Sequence, residues 1–254
     1  MECICIVSHK GGTGKTTVTL NLGAECAAAG FRVVLLDCDP QGALAAALGI
    51  TIVSKPTLYE VMTGNCPLIA AIKPTRVERL QLVAADLDLS GLEVELPRRQ
   101  VWQTSLSNIL EGLEGFDLAV IDTPPGLGVL SYVALVASTV ALVLTPPEFL
   151  AYRALRLALE TVERAQRQSP KLRSWAIVPT MMNRQTRHAR EVVEIIQEDY
   201  GDRVLSEVPR RVAVQDAALS GLPIREYAPG SDAAVAFAQL AKEVIALAQT
   251  TKST

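Results

Sequence analysis

Near the N-terminus, Lys10-Gly11-Gly12-Thr13-Gly14-Lys15-Thr16-Thr17 brings glycines, two lysines and hydroxyls together at a spacing suited to gripping polyphosphate. Glycines in such a loop let successive backbone N–H groups converge on phosphate oxygens, and a helix starting near Lys15 adds the positive end of its dipole. In this pattern Lys15 sits on the β- and γ-phosphates and the Thr16 hydroxyl holds Mg²⁺. The pattern G-x-x-x-x-G-K-[ST] asks for Gly in its first position, and here that position is Lys10. The spacing leaves two readings of Lys10 open: a solvated lysine entering a turn, or a second cation directed at phosphate.

Three acids complete the candidate chemistry. Val33-Val34-Leu35-Leu36 runs into Asp37-Cys38-Asp39-Pro40-Gln41-Gly42, so Asp37 and Asp39 stand at the carboxyl end of an apolar strand, the edge at which open parallel sheets bind ligands. Leu118 to Ile121 runs likewise into Asp122 and the rigid turn Thr123-Pro124-Pro125-Gly126. An apolar strand, an Asp and a stiff turn form a Walker B element, which organises Mg²⁺ and can sense the γ-phosphate through the following loop. Together the loop and the acids indicate a nucleoside triphosphatase.

These residues need a parallel sheet to meet, and the chain has the pattern for one. Apolar runs at Ile4 to Val7, Arg32 to Leu36, Phe116 to Ile121, Thr139 to Leu144 and Trp175 to Val178 alternate with helical patterns at Thr17 to Ala29, Gly128 to Ala137, Glu148 to Gln168 and His188 to Tyr200. Strand and helix in alternation give right-handed crossovers. The expected class is therefore α/β: a P-loop NTPase-like, mostly parallel twisted sheet with helices on both faces. The 254 residues fit one domain, 1–254, and the less regular section 50–114 reads as a helical insertion within it. A last helix, Ser231 to Ala248, carries one apolar face for packing.

Composition agrees with this class. Hydrophobic residues make up 49% of the chain but aromatics only 4%, as in sheets of Val, Leu, Ile and Ala buried on both faces. No run reaches a membrane span, the last helix lacks the basic face of an interfacial anchor, and the phosphate loop begins too early for a signal peptide, so the expectation is no membrane and a cytoplasmic location. Cys3, Cys5, Cys26, Cys38 and Cys66 form no C-x-x-C pair and are assigned to packing, with neither metal nor disulfide. The net charge of −3 divides unevenly, −6 over residues 1–150 and +3 over 151–254, so an acidic chain still has basic material for a nucleic-acid face.

The stretches Lys10 to Thr17, Asp37 to Gly42 and Asp122 to Pro125 resemble the deviant Walker A, A′ and B boxes of the ParA/MinD ATPases, most of all the ParA-type partition proteins. The segments LQLVAADLDLSGLEVEL (80–96), VPTMMNRQTR (178–187) and VPRRVAVQDAALSGLPI (208–224) extend the resemblance from Ile4 to about Leu247. It implies an ATP- and Mg²⁺-dependent ATPase that forms a homodimer with ATP. In such a protein Lys10 reaches the phosphates of the partner subunit's ATP, and Gly11, Gly12, Thr13, Gly14, Lys15, Thr16 and Thr17 hold the nucleotide. Asp39 positions the attacking water, Thr16, Asp37 and Asp122 serve the Mg²⁺, and Asn183 and the backbone near Pro209 flank adenine.

The resemblance also implies non-specific double-stranded DNA as a partner of the ATP dimer, a nucleoid-associated location, and a ParB-like centromere-binding adaptor that stimulates hydrolysis. Arg184, Arg187, Arg190, Arg210 and Arg211 are the candidate phosphate contacts, although residues 184–211 hold six arginines against six acids and only folding can separate the two signs. With no helix-turn-helix arm before residue 1, autoregulation of transcription is not expected. A relative that positions a protein cargo, a chemotaxis cluster or a microcompartment, is the nearest alternative. An iron–sulfur reductase of the nitrogenase type is disfavoured because every cysteine precedes residue 67. A biosynthetic ligase of the dethiobiotin-synthetase sort gives Lys10 no role.

Overall fold

A computed structural model describes residues 1–148, 151–183 and 186–250. Strand β1 (Glu2–Val7) runs through the glycine loop into α1 (Lys15–Ala28). After β2 (Val33–Asp37) come the short helices α2 (Ala43–Ala47), α3 (Leu58–Met62) and α4 (Leu68–Ala71), strands β3 (Ile72–Pro74) and β4 (Leu80–Val83), and helices α5 (Leu92–Glu95) and α6 (Ser105–Glu111). The chain continues with β5 (Leu118–Asp122), α7 (Val129–Ala137), β6 (Val140–Thr145), α8 (Ala151–Gln168), β7 (Ser174–Pro179), α9 (Arg187–Tyr200), α10 (Val212–Leu219), α11 (Ile224–Tyr227) and α12 (Asp232–Thr250).

The strands form one sheet in the order β3-β4-β2-β5-β1-β6-β7, parallel except for β3, which runs antiparallel at the edge. Every residue of β1, β2, β5 and β6 is buried, which is why these strands read as unbroken apolar runs and show no alternation. Their two faces feed separate cores. Ile4, Ile6, Val33, Leu35, Val120 and Leu142 join Leu20, Leu22 and Phe237, from α1 and α12. Cys5, Val7, Leu36, Ile121 and Val143 join Val133 of α7 and Val162 of α8 on the other side.

The section 50–114 differs from its reading as a helical insertion, because it supplies two strands of the sheet. β4 pairs with β2 from Val33↔Leu80 to Leu36↔Val83, and β3 caps β4. Strands of four and three residues, one with Gln81 exposed in its middle, are too short to carry a period in the sequence. Cys3, Cys5, Cys26 and Cys38 are buried, Cys66 is half-buried and all five are free, in agreement with packing roles. The last helix buries Ala234, Phe237, Leu240, Ala241 and Val244 as its pattern demands. Among the described residues no helix is long and apolar enough to cross a membrane.

Candidate functional site

Sheet register brings the three motifs together. β5 lies between β1 and β2, with Asp122 level with Ile6 on one side and with Asp37 on the other. Neighbouring strands lie about 4.8 Å apart, so both acids and the start of the glycine loop share one small stretch of the carboxyl edge.

The loop folds around left-handed glycines, Gly12 at φ 73° and Gly14 at φ 87°. Gly14 is also the residue before α1, and no side chain caps the helix there. The first-turn N–H groups thus face the loop's hollow, an arrangement suited to anions. Ser8, directly after β1, braces the turn: its Oγ donates to the Lys10 carbonyl at 2.8 Å and lies 2.8 Å from Thr13 Oγ1. Lys15 is buried, with its Nζ 3.4 Å from Ser8 Oγ. Burial pushes its pKa down and the carboxylates of Asp122 and Asp39 pull it back, so an anion in the loop would stabilise the ammonium further. Gly11 and Gly12 in the turn are exposed, and Thr17, in the first turn of α1, is half-buried.

The acids are held as oriented acceptors. Thr16 Oγ1 donates to Asp122 Oδ2 at 2.6 Å, and Thr19 Oγ1 approaches Oδ1 at 3.4 Å. Asp37 accepts from the backbone of Asp39 at 3.0 Å and of Leu44 at 3.3 Å. Both Asp37 and Asp122 are fully buried. Desolvation raises their pKa values first of all, and Asp122 adds charge repulsion to Asp37. Two buried carboxylates with a hydroxyl beside them are a set of hard oxygen donors short of positive charge, and this fits Mg²⁺. Asp39 is half-buried, and its Oδ1 accepts from the Gln41 backbone at 3.0 Å in a tight turn.

Lys10 lies apart from this cluster. Its Nζ donates to Glu148 Oε2 at 2.7 Å, and the two side chains remain 41% and 58% exposed. The structure therefore gives the odd lysine a third situation, an ion pair at the protein surface.

A cavity of about 720 Å³ opens beside the loop, with Thr13, Gly14, Thr17, Thr180, Met181 and Pro209 in its wall. This size and its mostly apolar wall suit a nucleoside. Pro209 is paired with Met182 in a short parallel bridge, with Arg210 N donating to Met182 O at 2.9 Å. Asn183 is exposed and is not part of the cavity wall. Met181 is, with a left-handed φ of 54°.

Arg184 lies outside the described residues. Arg187 pairs with Glu191 at 2.6 Å, and Arg211 pairs with Asp232 at 2.5 Å. Arg190 and Arg210 are exposed, the former on α9 and the latter just before α10. Arg187 and Arg211 thus already hold an acid, so folding only partly separates the signs. Ser8, Thr19, Glu148 and Met181 were not singled out from the sequence. A lone serine or threonine near a motif carries no spacing signal, and Glu148 is distinguished only by where β6 ends.

The AAA domain family AAA_31 matches residues 1–174. The chain is 35% identical over 251 residues to the chromosome partitioning protein ParA of Caulobacter vibrioides, covering 96% of this chain and 94% of that protein. It is 36% identical over 249 residues to the sporulation initiation inhibitor protein Soj of Bacillus subtilis, covering 96% and 98%. A crystal structure of cobyrinic acid a,c-diamide synthase from Mycobacterium smegmatis with bound ATP analog and magnesium superimposes with a TM-score of 0.85 at 32% identity, covering 96% of this chain and 94% of that one.

Proposed function

The chain belongs to the ParA-type partition ATPases of the AAA domain family, and from that premise we propose that it is a Mg²⁺-dependent ATP switch for DNA segregation. In this reading ATP assembles a homodimer that binds non-specific DNA, and partner-stimulated hydrolysis releases it. The observation that carries the reading is the division of labour between the two lysines. Lys15 is buried over the acids, whereas Lys10 leaves the same loop half-exposed and pointed at a surface carboxylate. A lysine needed only by its own chain's nucleotide has no reason to stand outside the pocket; one serving a second molecule has to.

The roles follow from placement. Backbone N–H groups of Gly11 to Thr17 and the Lys15 ammonium receive the phosphates, and the 720 Å³ cavity, with Met181 and Pro209 on its wall, receives the nucleoside. Thr16, Asp37 and Asp122 hold Mg²⁺, which supplies charge to the phosphate oxygens. Asp39 orients the attacking water, since it is the acid of the three that is not fully buried. Asn183, exposed beside the Pro209 bridge, stays a candidate adenine contact through the family resemblance alone. Lys10 from each protomer neutralises the other's nucleotide, so attraction across the interface lasts while the γ-phosphate does. Arg187, Arg190, Arg210 and Arg211 supply phosphate contacts for DNA, Arg187 and Arg211 after exchanging their acids for a phosphate. A ParB-like adaptor and a nucleoid-associated, cytoplasmic location complete the assignment.

Sedimentation with ATP and Mg²⁺ tests the switch: the native chain forms a dimer and Lys10→Ala does not, whereas Asp39→Ala forms one that persists. A normal ATP dimer of Lys10→Ala refutes the cross-subunit role. A gel shift on random duplex DNA with ATP, ADP and no nucleotide tests the cargo. Retention only with ATP supports DNA segregation; an ATP dimer without retention points instead to a protein cargo carried by the same switch.

A further inference from the structure

The helix that follows the Walker B loop has no cap of its own, and a residue from a distant segment provides one. Gly128 precedes α7 and contributes no side chain to it. Instead Val129 N donates to Glu93 Oε2 at 2.9 Å and Leu130 N to Glu93 Oε1 at 3.3 Å, so one carboxylate holds two first-turn N–H groups. A Cβ at Gly128 would lie 2.9 Å from Oε1 and 3.0 Å from Oε2, which shows how closely the carboxylate seats on the backbone. Glu93 itself is fixed by its neighbours. Leu92 and Leu96 are fully buried in the core that α7 also enters.

The span between Asp122 and α7 is Thr123-Pro124-Pro125-Gly126-Leu127-Gly128. Its front end is tied by the buried Asp122 and by Thr123 Oγ1, which donates to the Ile6 carbonyl at 2.7 Å. Its middle lies beside the phosphate loop, close enough that a Cβ on Gly11 would stand 3.5 Å from Pro125 Cβ. Its back end is tied by Ser131 Oγ, which donates to Gly126 O at 3.1 Å, and by Glu93. A short loop with two prolines transmits position well, so where α7 begins decides where Pro125 rests against Gly11. The carboxylate also suits the positive end of the α7 dipole.

We propose that Glu93 is a positioning residue for the ATPase: by clamping the N-terminus of α7 it sets the Walker B loop against the phosphate loop. The inference rests on the ATPase reading above. It assigns to the 50–114 section a part in the catalytic cycle that its place at the sheet edge alone does not suggest. Loss of the clamp frees two N–H groups to water and lets the loop relax, which harms the positioning of reacting groups more than nucleotide capture by the separate glycine loop.

The test uses the full chain with Glu93→Ala and Glu93→Gln. For Glu93→Ala the expected result is kcat lowered by at least about fivefold with KM for ATP within about twofold of native, because only positioning is lost. Glu93→Gln, which keeps one acceptor oxygen at the same reach, falls between. Hydrogen exchange with a non-hydrolysable ATP analogue gives a second readout: amides in 126–131 slow on binding in the native chain and fail to slow in Glu93→Ala. Unchanged kcat in Glu93→Ala, a rise in KM alone, or equal protection in both proteins overturns the proposal. Absence of turnover in the native chain would count against the ATPase reading instead, and the exchange experiment still decides the role of Glu93.

Discussion

Replacing Glu148 by Gln tests how the ion pair of the single chain bears on the dimer. Lys10 Nζ and Glu148 Oε2 are 2.7 Å apart with both side chains well exposed. Pairs of this kind contribute about 0.2–1 kcal/mol, the Coulomb gain being offset by hydration and by side-chain entropy. A cross-subunit role takes Lys10 from Glu148 in both protomers, so assembly gives up about 0.4–2 kcal/mol in all, or roughly a 2- to 30-fold weakening of the dimer. Glu148→Gln keeps the shape and removes the charge. Its ATP dimer should therefore have a dissociation constant lower by that factor. Sedimentation equilibrium on the Asp39→Ala background, where hydrolysis does not drain the complex, measures it directly. The difference should shrink as salt rises toward 1 M, where the screening length falls to about 3 Å. An unchanged or weaker dimer at low salt would refute the reasoning, since Glu148 would then not compete for Lys10.

Three further outcomes are expected. Glu60 has its pKa lowered to about 2, first by the hydrogen bond from Lys55 and then by the Thr57 backbone. The folded chain binds fewer protons there than the unfolded one, so this stability is present above the ordinary value of 4.5 and is lost as pH falls toward 2. In Lys55→Met, thermal unfolding scans should show that acid-side gain reduced. Phe237, fully buried on α12, should cost about 3–5 kcal/mol when changed to Ala, read as an earlier urea midpoint with an unchanged slope. Burial pushes the thiols of Cys3 and Cys26 up to about 12 and those of Cys5 and Cys38 up as well, whereas Cys66 is half-buried. A thiol reagent at pH 8 should thus label one cysteine in the folded chain and five in urea.

The phosphate loop, the three acids and the parallel sheet were legible in the sequence because each depends on local chemistry. Gly12 and Gly14 mark the backbone turn that their neighbours need, and buried strands write themselves as runs of Val, Leu and Ile. Asp37 and Asp122 could be placed at strand ends by the same reasoning, and sheet register then set them side by side. What only the tertiary structure decided are the partners of charged and capping groups across long separations. Lys10 meets Glu148 from 138 residues away, and Val129 meets Glu93 from 36. β3 and β4 belong here too, since strands of three and four residues gain their order from β2 rather than from their own period. The arginines mark the same boundary: the sequence counts six of each sign in 184–211, but only folding pairs Arg187 with Glu191 and Arg211 with Asp232. A motif is a property of neighbours along the chain, whereas a charge finds its partner through space.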